Sequence, residues 1–129
     1  MLLLGGPVAR AADRPLIEAV KNGDVHGVER LLRQKVDVNA AHPDGTTALL
    51  LASERNDIAM AEALLRAGAN PNAATDYGIT PMWMACTNGS ASMARALLAA
   101  GASAKTALPS GETLLMTAAR TGNAEIVGM

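Results

Sequence analysis

The sequence repeats itself. Gly45, Gly78 and Gly111 recur at a step of 33 residues, and Thr47, Thr80 and Thr113 keep the same step. So do Leu49, Met82 and Leu115, and then Ala52, Ala85 and Ala118. The leucine pairs Leu31-Leu32, Leu64-Leu65 and Leu97-Leu98, with Gly68 and Gly101, carry the register through the unit. Gly23, Asn56, Gly89 and Gly122 add a fourth copy. So many columns in one register are hard to obtain by chance, and a repeat of this length decides the fold before any single helix is assigned.

Each column has a physical reading. Thr47, Thr80 and Thr113 stand where a hydroxyl accepts a bond from an orphan N–H at a helix start, and Pro81 follows at a first helical position, where its missing N–H costs nothing. A first helix of about two turns begins there, through Leu49 to Ser53 or Met82 to Cys86. The central alanine lets a neighbouring helix come close. Gly23, Gly89 and Gly122 then supply a left-handed turn residue, and Asn56 is the non-glycine that best tolerates that conformation. A second helix follows, with an apolar stripe at Ile58, Ala61, Leu64 and Leu65, or Met93, Ala96, Leu97 and Leu98. Gly68 and Gly101 end it as C-caps. The stretch Ala69-Asn70-Pro71-Asn72-Ala73, leading to Asp76-Tyr77-Gly78, is turn-rich and suits a projecting hairpin.

The residues Asp44-Gly45-Thr46-Thr47-Ala48-Leu49, Gly78-Ile79-Thr80-Pro81-Met82 and Gly68-Ala69-Asn70-Pro71-Asn72-Ala73 resemble the ankyrin repeat, which has this period and this order of elements. The resemblance runs from about Asp13 to Met129 and implies an all-α solenoid of L-shaped helix-turn-helix units with β-hairpin or turn connections. About four repeats are expected, in a domain spanning residues 12–129 with units near 12–41, 42–74, 75–107 and an incomplete 108–129. The family usually carries a histidine where this chain has Ile17, Leu50, Trp83 and Met116, so apolar packing is expected to replace that histidine's hydrogen bond. The first copy lacks a glycine hairpin and has Lys35 at its C-cap; with His26, Glu29, Arg30 and Arg33 on its second helix it reads as a capping repeat facing water. The fourth copy stops at Met129, early in its second helix, and the expectation drawn from this is a longer array.

Such a family implies a non-catalytic scaffold that binds a protein partner on the concave face formed by hairpin tips and first helices. By register those positions are Pro43, Asp44 and Thr46, then Asp76, Tyr77 and Ile79, then Ser110 and Glu112. On the first helices they are Lys21 and Asn22, Glu54 and Arg55, Thr87 and Asn88, Arg120 and Thr121. Tyr77 is the sharpest candidate, as a tyrosine at an exposed tip is a frequent interface anchor. Trp83, near the hairpin base, is read as packing.

Composition removes most other functions. The net charge is −1, which leaves no basic field for nucleic acid, and the apolar runs are too short to cross a bilayer. One cysteine rules out an intrachain disulfide framework and a cysteine zinc cage. With no Phe, one Trp, one Tyr and 7 Met in a chain that is 50% hydrophobic, the core is expected to be filled by small aliphatic residues and by Met60, Met82, Met84, Met93 and Met116. His26 and His42 have neither a partner histidine at helical spacing nor an obvious acid neighbour, Cys86 shares a small-residue column with Ser53 and Ala119, and Asn88-Gly89-Ser90 reads as a turn. No catalytic set, metal site or cofactor is expected, and the array reads as a monomer.

Residues 1–11 stand outside the repeat. Leu2-Leu3-Leu4-Gly5-Gly6-Pro7-Val8 followed by Ala9-Arg10-Ala11 resembles the end of a signal peptide, although a basic start is missing. Export to a periplasmic or extracellular space is expected, with a cytoplasmic protein as the alternative. Two other roles fit the same residues: a regulatory or targeting segment of a larger exported enzyme or electron-transfer protein, and a plain structural spacer.

Overall fold

The computed structural model describes residues 14–103. Within them run α1 (Arg14–Lys21), α2 (Val25–Arg33), α3 (Ala48–Glu54), α4 (Ile58–Arg66), α5 (Pro81–Thr87) and α6 (Ala91–Ala99). Each odd-numbered helix packs on the even-numbered helix that follows it, so the chain builds three helix-turn-helix pairs. The pairs stack in two layers: α1 against α3 against α5, and α2 against α4 against α6. The leader and the fourth unit, with Ser110, Glu112, Met116, Arg120 and Thr121, lie outside the described residues.

The helix starts follow the threonine column. Thr47 Oγ1 accepts from Leu50 N at 3.2 Å and Thr80 Oγ1 from Trp83 N at 3.1 Å, with Pro81 in the first turn. The second helices have caps of their own at the same step: Asp24 accepts from Gly27 N, Asp57 from Met60 N and Ser90 from Met93 N. Asn56 takes the left-handed conformation expected of it, at φ 55, and Lys35 takes it at φ 60 in the C-cap position filled elsewhere by glycine. The hairpins shrink to tight turns. His42 N donates to Thr46 O and Thr75 N to Ile79 O, while Ala41 and Thr47 form an isolated antiparallel bridge; no strand occurs among the described residues.

The core is thin and continuous. Leu16, Ile17 and Val20, then Leu49 and Ala52, then Met82 and Ala85 are buried from the first helices. Val28, then Met60, Ala61 and Leu64, then Met93, Ala94 and Leu97 are buried from the second. Ala52 and Ala85 have no exposed surface, which is what close helix approach at those columns requires. Ile17, Leu50 and Trp83, in the column where the family carries histidine, are buried apolar packing.

Three expectations need correction. Ala94, rather than Ala96, completes the buried stripe of α6, because its position beside Met93 faces inward while Ala96 is half-buried. Met84 is not core: it is half-buried, since the inward faces of α5 are held by Met82, Trp83, Ala85 and Cys86. His26 does have an acid neighbour, Glu29 Oε1 at 3.8 Å, though both side chains are largely in water. No helix of the described residues is long and apolar enough to cross a membrane.

Two columns of polar side chains bridge one repeat to the next. Asn39 Nδ2 donates to Gly68 O at 3.2 Å while its Oδ1 accepts from Asn70 N at 2.6 Å. Asn72 makes the same pair of bonds one repeat on, to Gly101 O and from Ser103 N. Along the first helices, Arg55 donates to Lys21 O at 3.0 Å, and Asn88 Nδ2 donates to Ser53 O and Glu54 O at 3.1 and 3.2 Å. The Arg55 and Asn88 bonds satisfy carbonyls at the ends of α1 and α3, and the Asn39 and Asn72 bonds hold backbone groups just past α4 and α6.

Candidate functional site

A turn that projects from a repeat must be held by its own residues. Asp44 Oδ1 accepts from Thr46 N at 2.9 Å, closing the turn. Gly45, at φ 92, allows the next turn to lie against it: a Cβ there would meet Thr75 Cα at 2.9 Å and Ala74 O at 3.1 Å. Asp76 N then donates to Asp44 O at 3.0 Å, joining the two turns through their backbones. In the second turn Thr75 Oγ1 accepts from both Tyr77 N and Ile79 N. Tyr77 is thereby presented outward and is 76% exposed, alone among the large hydrophobic side chains of the described residues.

Between these turns and the first helices lies a groove. One repeat contributes Asp44, Thr46, Leu50 and Glu54, and the next contributes Thr75, Tyr77, Ile79 and Met84. Five residues expected on the binding face from register alone, Asp44, Thr46, Glu54, Tyr77 and Ile79, are thus brought together. Asp76 is exposed on the same turn as Tyr77, and Pro43 and Thr87 are exposed as well, outside the groove lining. Arg55 and Asn88 point their polar ends at the preceding repeat, where they hold the carbonyls already described. Lys21 is 4.0 Å from Glu18 within α1. Glu112 and Arg120 lie outside the described residues.

The groove's electrostatics are one-sided. The Thr46 backbone N–H, then its hydroxyl, then the charge of His42 hold the Asp44 carboxyl below its ordinary value, so it is ionised at neutral pH. Glu54 is the last residue of α3, where a negative charge meets the negative end of the helix. No basic residue stands in that last turn.

Among the described residues the titratable side chains other than Asp44, Glu54 and Tyr77 stand apart from the groove lining. Among the described residues no three His, Cys, Asp or Glu side chains gather as a metal ion would require. Cys86 is buried in the core, in the same column as Ser53, and burial pushes its thiol up. Asn39 and Asn72 are the polar residues that register alone did not single out, because asparagine in a turn-rich stretch is indistinguishable from a turn former. Their 33-residue spacing was the available signal.

No curated protein matches the sequence. The family model described as ankyrin repeats (3 copies) matches residues 2–75 and 58–129, nearly the whole length, and with three helix pairs stacked in the described register the chain belongs to the ankyrin repeat family.

Proposed function

We propose that this chain is a non-catalytic scaffold that binds a protein partner through the groove between its second and third repeats. Ankyrin repeats are generally protein–protein interaction modules. The observation that carries the reading to this groove is Tyr77, a large aromatic side chain left in water at the tip of a turn whose own backbone is bolted to its neighbour. A solvated tyrosine on a rigid support loses little entropy on being covered, which is the physical advantage of an anchor residue.

The test is capture from a lysate of the source cells on immobilised full chain, beside a Tyr77→Ala variant of unchanged circular dichroism. Partners retained by the native chain and lost by the variant are the expected result; identical capture by both sinks the assignment to this groove. Arg55 is unsuited to that experiment, since replacing it removes the bond to Lys21 O and perturbs the repeat junction itself. The reading includes a monomeric array and export directed by residues 1–11. Sedimentation of the purified chain and sequencing of the mature N-terminus test these two points.

A further inference from the structure

The groove carries information about what fills it. Its floor is apolar, formed by Leu50, Ile79 and Met84, and only one end carries an exposed aromatic ring, that of Tyr77. Its charged members are both carboxylates, Asp44 and Glu54. The cations near the first-helix layer are directed elsewhere: Lys21 lies beside Glu18, and Arg55 donates to Lys21 O. The His42 charge acts on Asp44 from the same turn, but among the described residues no ion pair engages Asp44 or Glu54, and Glu54 stands at the negative end of α3. An acid kept in a position that costs helix stability, over an apolar floor, has electrostatic complementarity to a basic ligand.

From this we infer that the occupant is a segment of a partner protein in which an arginine or lysine adjoins an aliphatic side chain. The inference rests on the groove reading proposed above. The aliphatic group covers Leu50, Ile79 and Met84 while the cation meets Asp44 and Glu54, and an arginine in that place also reaches the face of Tyr77. The Asp44 carboxylate is already fixed in its turn by Thr46 N, so it needs little ordering to receive the cation.

Selection of a displayed library of random linear dodecapeptides on the immobilised full chain tests the inference. The enriched peptides should carry arginine or lysine next to leucine, isoleucine or methionine. Their affinity, measured by fluorescence polarisation, should fall roughly tenfold in the Asp44→Asn, Glu54→Gln double variant and with added salt. Tyr77→Ala should weaken them by a similar factor. Enriched peptides that lack basic residues, lose affinity with Tyr77→Ala and ignore the carboxylate changes would overturn the cationic ligand and leave the groove standing. Peptides indifferent to all three substitutions would overturn both. Absence of any enriched sequence, or a self-associated chain that Tyr77→Ala returns to monomer, also counts against a basic segment as the occupant.

Discussion

Asn72 makes two bonds to the next repeat with one side chain, donating to Gly101 O at 3.1 Å and accepting from Ser103 N at 2.7 Å. Both groups it serves lie in the segment that leaves α6 after Ala99. Asn72→Ala should therefore lower the stability of the array by about 1 to 2 kcal/mol, read from urea unfolding followed by the emission of buried Trp83. Asp44 permits a pH test. Its folded-state carboxyl lies below the unfolded value, so the stability it confers is present above that unfolded value and is lost as pH falls through the lowered folded one. Asp44→Asn retains an oxygen for Thr46 N and should remain folded, while the gap between it and the native chain narrows as pH is taken from neutral to below the ordinary aspartate value of 3.8. A gap that is constant across that range would show that Thr46 does not favour the charged form.

Among the elements, two helix ends break local rules. Lys35 stands at φ 60 beyond α2, where the corresponding residues beyond α4 and α6 are Gly68 and Gly101. A side chain in that conformation costs of order 1 kcal/mol, part of which glycine returns as unfolded-chain entropy, so Lys35→Gly should stabilise the chain by about 0.5 kcal/mol. Equilibrium unfolding of the single variant measures it. Glu54 at the end of α3 is the second case. Glu54→Gln should raise stability by about 0.3 kcal/mol at low salt, with the gain fading as salt is added, even though the same change weakens a basic ligand. An improvement in fold at the cost of binding separates a residue held for recognition from one held for structure.

Across the whole molecule, what was readable in advance was whatever the 33-residue register repeats and local chemistry explains. The caps at Thr47 and Thr80, the left-handed turn at Asn56 and the burial of Ala52 and Ala85 are short-range consequences of residue type. The cap column of Asp24, Asp57 and Ser90 obeys the same register, but its members differ in kind and the adjoining turn residues draw the eye first. The contacts of Arg55, Asn88, Asn39 and Asn72 were out of reach, because their acceptors lie about one repeat away and depend on how neighbouring pairs stack. Five residues of the binding face expected from register gather in the groove for the same reason: hairpin tips converge locally, whereas a long side chain such as Arg55 chooses its partner only after stacking. Met84 shows the reverse case. A methionine reads as core by composition, yet its angle on α5 turns it to the groove.

The amide bridges of Asn39, Asn72 and Asn88 hold neighbouring repeats through uncharged groups, and the ion pairs of Lys21 and His26 each stay inside a single helix. Ionic strength therefore acts on the two halves of this molecule's behaviour separately. A rising salt concentration would screen the groove carboxylates, and among the bridges between repeats only the charged Arg55 bond to Lys21 O, while the asparagine amide bridges are uncharged; under the proposed binding role, affinity should therefore fall before the stacking does. In that role, salt would then control occupancy rather than integrity.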